Sequence, residues 1–272
     1  MRIQFVKFDP NGNITILVES RVPREAHAAL AARLMAEIGG EQAGYIEPSG
    51  AARARLQMMG GEFCGNASMA LAAHLAEADG LAEGAEAEYA LEVSGADGLV
   101  RCRVRREGEA FRGRVQMPLP ESVGEAAMPL GAAIPAGAVL PLVRLPGIAH
   151  LIVPEGMMSD REAELRAPEL CRELGAEAMG LMVASGDFSR MRPLVYVAST
   201  NSLVWERGCG SGTAAMGAYL AARLGHDVSL EIAQPGGTIG VRASWNGRAV
   251  DEIEISGSVR VERQGEIEIE LP

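Results

Sequence analysis

The first residues of the chain combine apolar positions in alternation with a strong turn signal. Residues 3–8 and 14–18 have the composition of strands, and Pro10-Asn11-Gly12-Asn13 between them is typical of a hairpin turn. The next stretch changes period, because apolar residues then recur at helical spacing. The spacing predicts a helix over residues 24–38, with one apolar face formed by Ala26, Leu30, Leu34, Met35 and Ile38.

Strands and helices continue to alternate irregularly along the rest of the chain, which indicates a mixed α/β fold. In the first half, further strands are predicted over 89–93, 98–106 and 111–117. In the second half, a helix is predicted near 159–174. Strands of the second half are predicted near 142–145, 150–153, 179–184, 194–198, 202–206, 228–233, 239–245, 251–255, 257–262 and 266–270.

Prolines interrupt the pattern in the middle of the chain. Residues 118–146 contain Pro118, Pro120, Pro129, Pro135, Pro141 and Pro146 among glycines and alanines. Proline lacks a backbone N–H and breaks helices and central strands, so few of these residues can join either. We therefore predict a boundary here, between a first domain of residues 1–117 and a second of residues 118–262.

Two similar cysteine segments, one in each half, are the most informative motif. Phe63-Cys64-Gly65-Asn66-Ala67-Ser68 and Gly208-Cys209-Gly210-Ser211-Gly212-Thr213 each precede a helical run rich in alanine, leucine and methionine. About half the chain separates the two cysteines, so an internal duplication is the natural interpretation. Each half is then predicted to carry one thiol at the start of a helix.

Composition narrows the classes of function. The chain has 272 residues, 48% of them hydrophobic, and a formal net charge of −11. This charge argues against nucleic acid or an anionic membrane as partner, since both require clustered Lys and Arg. No secretion signal or membrane span is visible, which predicts a cytoplasmic protein. Its four cysteines contain no C-x-x-C pair, so reduced thiols are expected and a metal ligand set is not.

A thiol at a helix start can act as an acid or a base. The orphan N–H groups and the positive end of the helix dipole lower the pKa of a thiol there, which favours the thiolate. The same N–H groups can bind a carboxylate, and the glycines beside each cysteine allow a ligand to approach the backbone. A thiolate and a thiol on opposite faces of an amino acid could invert its α-carbon without a cofactor.

Simpler interpretations exist for each segment taken singly. A cysteine is more often a small buried apolar residue than a catalyst, and a glycine-rich helix start is more often a tight turn than a ligand site. A disulfide between Cys64 and Cys209 is conceivable, although a reducing compartment disfavours it. The repetition favours the catalytic interpretation, whereas Cys102 and Cys171 are predicted to be structural.

The segments C-G-N-A and G-C-G-S-G-T, together with the opening F-D-P-N-G-N-I-T-I-L-V, resemble the diaminopimelate epimerase-like superfamily of cofactor-independent, two-cysteine racemases. The resemblance covers the whole chain. It implies an α/β (α+β) fold of two pseudo-symmetric halves, each a curved, mostly antiparallel β-sheet around a central helix. It also implies an active site between the halves, and a C-terminal strand of about residues 263–272 that returns to the first half.

A narrower resemblance concerns the substrate. The strings E-Q-A-G-Y-I-E, G-G-E-F-C-G-N-A and Q-P-G-G, and the W-E before the second cysteine segment, are similar to the histidine racemases of staphylopine-type opine metallophore pathways. Diaminopimelate epimerases usually carry N-A-D-G and G-N-P-H segments that bind a distal carboxylate. The corresponding stretches here are Gln57-Met58-Met59-Gly60 and Gly147-Ile148-Ala149-His150. The amides for a second carboxylate are therefore missing.

The resemblance assigns roles to individual residues. Cys64 and Cys209 are the predicted acid/base pair, and Glu206, in an E-R-G string that the epimerases share, would hold the α-ammonium. Glu41 is the candidate for binding an imidazole N–H, the alternative being a solvated loop glutamate. The remaining predicted substrate contacts, in and beside the turn and the helix starts, are Asn13, Gly65, Asn66, Gly210 and Ser211. His150 could line the pocket or lie in the core.

These observations predict an isomerase that interconverts L- and D-histidine, with no cofactor and no metal, and that supplies D-histidine for an opine-type metallophore. The first alternative is a diaminopimelate epimerase or another amino-acid racemase of the same fold. An alternative of another class is a non-catalytic protein that binds metal through its two thiolates. The expected partner is a small amino acid, and a homodimer is common in the superfamily.

Overall fold

A computed structural model describes residues 1–127 and 138–270 of the chain. The predictions for Pro129, Pro135 and the last two residues therefore lie outside the described residues. The helices are α1 (His27–Ile38, preceded by a 3₁₀ turn at Arg24–Ala26), α2 (Gly65–Ala78), α3 (Asp160–Glu173) and α4 (Gly210–Leu224). The strands are β1 (Arg2–Pro10), β2 (Thr15–Val18), β3 (Gln42–Glu47), β4 (Ala54–Met58), β5 (Glu86–Val93), β6 (Leu99–Glu107), β7 (Ala110–Gln116), β8 (Ser122–Ala127), β9 (Val139–Leu145), β10 (Ile148–Pro154), β11 (Ala178–Ala184), β12 (Met191–Val197), β13 (Ser202–Trp205), β14 (Val228–Gln234), β15 (Gly237–Trp245) and β16 (Val250–Glu268).

The chain forms two compact units, one of Met1–Gln116 with Ser256–Pro272 and the other of Met117–Ile255. In the first unit the strand order is β1-β2-β3-β4-β5-β6-β7, and the end of β16 pairs antiparallel with β1. The pairs β2–β3 and β4–β5 are parallel, and the other neighbours whose register is known are antiparallel. Helix α2 packs against six of these strands and is buried along nearly its whole length.

The second unit repeats this plan with a different sheet. Its strands β8 to β13 form one sheet in the order β13-β12-β11-β10-β9-β8, in which only β10–β11 is a parallel pair among the described strands. Strands β14 and β15 form an antiparallel pair. Helix α4 packs between the two groups, against β8, β9, β10, β14 and β15. Each unit thus surrounds one buried helix with mostly antiparallel strands, which confirms the predicted fold class.

The opening hairpin forms as predicted, and its turn is fixed from a distance. Asn11 and Gly12 adopt φ values of 59° and 84°, which the Asn-Gly pair tolerates. The Asn11 side-chain oxygen accepts a 2.9 Å hydrogen bond from the Ser258 N–H on β16. A side chain at Gly257 would collide with Asn11, since its Cβ would lie 2.0 Å from Asn11 Nδ2. The turn is therefore held against the last strand, and Asn13 follows it directly.

Several strands differ from the sequence predictions. Strands β3 and β4 were not predicted, and β8 and β9 occupy much of the proline-rich segment, where Pro141 lies within β9. The three strands predicted over 251–255, 257–262 and 266–270 are one continuous strand, β16. This strand carries the chain from the second unit into the first, so residues 256–262 group with the first unit rather than with the second. Within the described ranges, we find no helix with the length and apolar character that a membrane crossing requires.

Candidate active site

Cys64 is the N-cap residue of helix α2. Its backbone is extended (φ −136°, ψ 111°), and its sulfur accepts a 3.4 Å hydrogen bond from the Ala67 N–H. Its carbonyl accepts from both the N–H and the hydroxyl of Ser68, at 3.0 and 2.8 Å. The first intrahelical hydrogen bond is the one from Ser68, and a helix start of this kind presents backbone amides that can bind an anion.

A chain of amide side chains lies beside the Cys64 sulfur. Cys64 Sγ lies 3.2 Å from Gln42 Oε1, and Gln42 Nε2 donates to Asn13 Oδ1 at 2.5 Å and to Thr15 Oγ1 at 2.8 Å. Asn13 Nδ2 in turn donates to Glu41 Oε2 at 3.0 Å. Asn13 and Thr15 are buried, whereas Glu41 is exposed. Two predicted substrate residues, Asn13 and Glu41, are thus connected to Cys64 through Gln42.

Cys209 is the N-cap residue of helix α4, with nearly the same local geometry. Its backbone is extended (φ −113°, ψ 106°), and its sulfur accepts a 3.4 Å hydrogen bond from the Gly212 N–H. Its carbonyl accepts from the Thr213 N–H at 3.1 Å and from the Thr213 hydroxyl at 2.7 Å. The two helix starts therefore repeat one arrangement: a cysteine cap, an amide on its sulfur, and a hydroxyl on its carbonyl.

The surroundings of Cys209 hold its proton in place. Burial raises the pKa of the Cys209 thiol well above its ordinary value, and the charge and hydrogen bond of the Glu206 carboxylate raise it further. Hydrogen bonds from Ser211, whose oxygen lies 3.5 Å from the sulfur, and from the Gly212 N–H lower this pKa but do not outweigh burial. The amide at the helix start therefore lowers the pKa of Cys209, as the sequence predicted, but burial and Glu206 raise this pKa by more.

A second glutamine supports the Cys209 cap. Gln234 Oε1 accepts a 2.8 Å hydrogen bond from the Cys209 N–H, and Gln234 Nε2 donates to Thr213 Oγ1 at 2.7 Å. Gln234 is 9% exposed. It closes a ring of hydrogen bonds behind the cap and contacts its backbone rather than its sulfur. Gln42 and Gln234 were quoted in sequence motifs without a role, and the signal that could have singled them out is a polar residue at the buried end of an apolar strand.

Met182, on strand β11, lies against the second helix start. A methyl group added at Gly212 would lie 2.1 Å from Met182 Sδ and 3.4 Å from Cys209 Sγ. One added at Gly180 would lie 2.8 Å from Met182 Cε and 2.2 Å from His150 Nδ1. The two glycines therefore make room for the thioether and for the imidazole, which pack side by side beneath the helix start.

His150 lies in this packed region of the second unit and is fully buried. Neither of its ring nitrogens has a hydrogen-bond partner among residues 1–127 and 138–270. Burial lowers the pKa of His150 to about 3, so the ring is neutral at physiological pH. Of the two alternatives from the sequence, the structure places His150 in the interior.

The structure thus gathers the predicted residues into two sets. Asn13, Glu41, Gly65 and Asn66 lie with Cys64 in the first unit, and Glu206, Gly210 and Ser211 lie with Cys209 in the second. Gly65, Asn66 and Gly210 are buried in the first turns of their helices, whereas Ser211 is half-buried. Each set combines a thiol, a carboxylate and helix-start amides, which are the groups that proton transfer at an amino acid requires.

Comparison with known proteins extends over the whole chain. Residues 2–267 match the family described as "Histidine racemase CntK N-terminal domain". A protein of Fusobacterium nucleatum subsp. nucleatum named histidine racemase is 33% identical over 282 residues, with 98% of this chain and 97% of that protein covered. A histidine racemase of Staphylococcus aureus is 29% identical over 279 residues, with 98% of each chain covered.

Solved structures share the fold at much lower sequence identity. A hydroxyproline epimerase from Agrobacterium vitis, with bound trans-4-hydroxy-L-proline, aligns with a TM-score of 0.72 at 16% identity, over 98% of this chain and 92% of that one. A probable proline racemase from Agrobacterium radiobacter aligns with a TM-score of 0.69 at 19% identity, over 99% and 93% of the two chains. The architecture is therefore that of racemases and epimerases.

Proposed function

This chain belongs to the histidine racemase family, and from that premise we propose that it interconverts L- and D-histidine with Cys64 and Cys209 as the two acid/base groups and without a cofactor. The observation that carries the proposal is the repeated cap geometry, in which each thiol lies at the start of a buried helix and accepts an amide hydrogen bond at 3.4 Å. Packing alone has no need for the same cysteine cap twice.

The reaction uses the two thiols in opposite protonation states. A thiolate takes the α-proton of histidine, and the electron pair of the C–H bond remains on the α-carbon. The backbone amides at a helix start stabilise the negative charge that spreads onto the substrate carboxylate. The other thiol then gives its proton to the opposite face of the α-carbon. The product is the other enantiomer, and the two sulfurs have exchanged protonation states.

Substrate binding would favour loss of the Cys209 proton to solvent, although burial continues to raise the pKa of this thiol. In this proposal the α-ammonium of histidine pairs with the Glu206 carboxylate, which otherwise raises the pKa of Cys209. Pairing neutralises that carboxylate, so the pKa of Cys209 falls when the substrate is present. The imidazole is recognised by Glu41, whose carboxylate accepts from a ring N–H and already receives a hydrogen bond from Asn13.

Hydrogen exchange at the α-carbon tests this function directly. The reduced protein is incubated in D₂O with single L-amino acids and a chelator, and the loss of the α-hydrogen signal is followed by NMR. Exchange of histidine supports the proposal, whereas exchange of diaminopimelate alone would replace histidine as the substrate. If no amino acid exchanges, the enzymatic function is wrong and thiolate metal binding becomes the next hypothesis to test.

We further propose that the product D-histidine is the building block of an opine-type metallophore. The support is the similarity to the racemases of such pathways, in strings such as G-G-E-F-C-G-N-A. Deleting the gene in its host should abolish metallophore in the culture medium, and added D-histidine should restore it. Continued production by the deletion strain would contradict this role.

A further inference from the structure

Gln42 is the residue that connects the Cys64 thiol to Asn13 and Glu41, and the direction of its hydrogen bonds has a chemical consequence. The Glu41 carboxylate can only accept, so the Asn13 group that faces it must be its amide nitrogen. The Asn13 oxygen then faces Gln42, and only the Gln42 nitrogen can donate to it. One carboxylate thereby orients both amides.

A second contact fixes the same orientation independently. The Thr15 hydroxyl donates its hydrogen to the Asn13 backbone carbonyl at 3.0 Å, so its oxygen is an acceptor for Gln42 Nε2. Both hydrogens of the Gln42 amide are therefore used, on Asn13 and on Thr15. The Gln42 oxygen is left facing Cys64 Sγ at 3.2 Å, and that oxygen can only accept.

We infer that Gln42 is a positioning residue that favours the protonated form of Cys64, so that Cys64 is ready to act as the acid in the direction of the reaction that begins with a Cys209 thiolate; in the reverse direction Cys64 is the base. This inference rests on the proposed racemase function. A neutral amide oxygen cannot take the thiol proton, whereas a thiolate at Cys64 would face the negative end of the amide dipole. In the proton-delivery step the Cys64 S–H bond breaks, the proton goes to the α-carbon, and the electron pair stays on sulfur.

The second unit provides the contrast that makes this assignment specific. There the glutamine, Gln234, contacts the Cys209 backbone N–H and the Thr213 hydroxyl, and the groups that act on the sulfur include the Ser211 hydroxyl and the Glu206 carboxylate. A substrate ammonium can compensate the charge of a carboxylate, but an amide carries no charge to compensate. The substrate can therefore alter the proton affinity of Cys209 through Glu206, whereas Gln42 acts on the Cys64 proton whether or not substrate is bound.

The first unit also contains charged pairs, which are the same in every variant of Gln42. On helix α2 and the strands that pack against it, they include Lys7–Glu262 at 3.1 Å, His74–Glu19 at 3.3 Å, Arg106–Glu77 at 3.4 Å and Arg55–Glu92 at 3.9 Å. Glu62, two residues before Cys64, has a pKa that burial raises. Glu41 is the ionisable member of the amide network itself.

The test is the rate at which iodoacetamide alkylates Cys64 at neutral pH, followed on the Cys64 peptide by mass spectrometry. Only the thiolate reacts, so the rate reports the protonation of the sulfur. Gln42→Met removes the acceptor at similar length and should raise the rate about five-fold, the worth of one hydrogen bond. Gln42→Glu places a charged acceptor there and should lower the rate about ten-fold.

The opposite signs of the two variants are the discriminating feature. If both variants accelerate alkylation, the glutamine merely packs the region, and if Gln42→Met leaves the rate unchanged, the inference is overturned. Gln234→Met is the matched control, since it alters the other unit and should leave the Cys64 rate unchanged. Alkylation needs no turnover, so an enzyme that fails the histidine exchange experiment can still show or refute the role of Gln42.

Discussion

The helix starts at Cys64 and Cys209 share a backbone and differ in the oxygen beside the sulfur. In both, the sulfur accepts from the amide three residues later, and a hydroxyl clamps the cysteine carbonyl. Beside Cys64 the oxygen belongs to an amide, whereas Cys209 is influenced by a carboxylate and is only 4% exposed. The repeated backbone gives the two thiols equivalent positions. The side chains around them are not repeated, and they give the two thiols different proton affinities.

Replacement of either cysteine should have the largest effect. Cys64→Ser and Cys209→Ser should each lower racemisation by about 10³-fold or more, because a serine hydroxyl is a far weaker acid than a thiol. Each single variant retains one thiol, so we expect at most exchange of the α-hydrogen of a single enantiomer. The measurement is circular dichroism for inversion and NMR for exchange, on each enantiomer separately. Full racemisation by either variant would contradict the two-base scheme.

Acid should weaken the second unit more than the first, because of His150. Burial lowers the pKa of this residue to about 3, so the folded protein contains the neutral ring. In the unfolded chain the ring binds a proton below the ordinary histidine pKa of about 6.5. The folded state is therefore fully stable above a pH of about 6.5 and loses stability as the pH falls toward 3. The expected loss is on the order of 5 kcal/mol. Thermal melts between those pH values measure this loss. The melting temperature of His150→Leu should fall less with decreasing pH than that of the unsubstituted protein.

The first unit supplies a control for that experiment. His74 is partly compensated by Glu19 at 3.3 Å, although burial still lowers its pKa. His74→Leu should therefore alter the acid limb less than His150→Leu does. Equal slopes for the two variants would show that the buried imidazole is not the source of acid sensitivity.

The residue three positions after each cysteine breaks the symmetry of the caps and gives a smaller effect. Gly212→Ala would place a methyl group 2.1 Å from Met182 Sδ, so the thioether must move, at a cost of about 2 kcal/mol. The reciprocal change, Ala67→Gly in the first unit, should cost about 1 kcal/mol through helix propensity and the loss of a buried methyl group. Urea unfolding of both variants measures the difference. A more costly Ala67→Gly would reverse this comparison.

Removing the Glu206 charge should have the smallest of these effects, and the quantity affected is the alkylation rate of Cys209. Glu206→Gln removes one of the causes that raise the pKa of Cys209, so alkylation of Cys209 at fixed pH should accelerate about ten-fold or less, since burial remains the larger cause. Cys64 alkylation in the same sample is the internal control and should not change. A rate for Cys209 that stays constant would mean that Glu206 does not influence the sulfur.

The elements that sequence predicts well carry their signal locally. The Asn11-Gly12 turn, the apolar face of α1 and the two cysteine helix starts were predicted because turn residues and helical spacing act within a few positions. Strands β3 and β4 were missed because they are short and depend on parallel partners far along the chain. Strand β16 was predicted as three strands, with breaks at residue 256 and at residues 263–265, whereas the chain is continuous there and Gly257 accommodates the Asn11 side chain.

The candidate site was predictable only as far as its repeated motif extends. The motif predicts the positions of Cys64 and Cys209, but not which polar side chains reach the sulfurs. Gln42 is the first residue of β3 and Gln234 the last residue of β14, and such contacts depend on sheet register, which the sequence does not reveal. For the same reason, the burial that reverses the expected pKa of Cys209 could not be predicted from its place at a helix start.

A cysteine at the N-cap has a consequence for anyone who engineers this protein. Serine is among the preferred caps of helices, and its oxygen is a better acceptor for the Ala67 and Gly212 amides than sulfur at 3.4 Å. A selection for thermal resistance alone would therefore favour serine at both positions and yield a sturdier, inert protein. Screens for thermostable variants of this protein should therefore also measure turnover. Its two reactive positions are positions at which a different residue would give a larger free energy of unfolding.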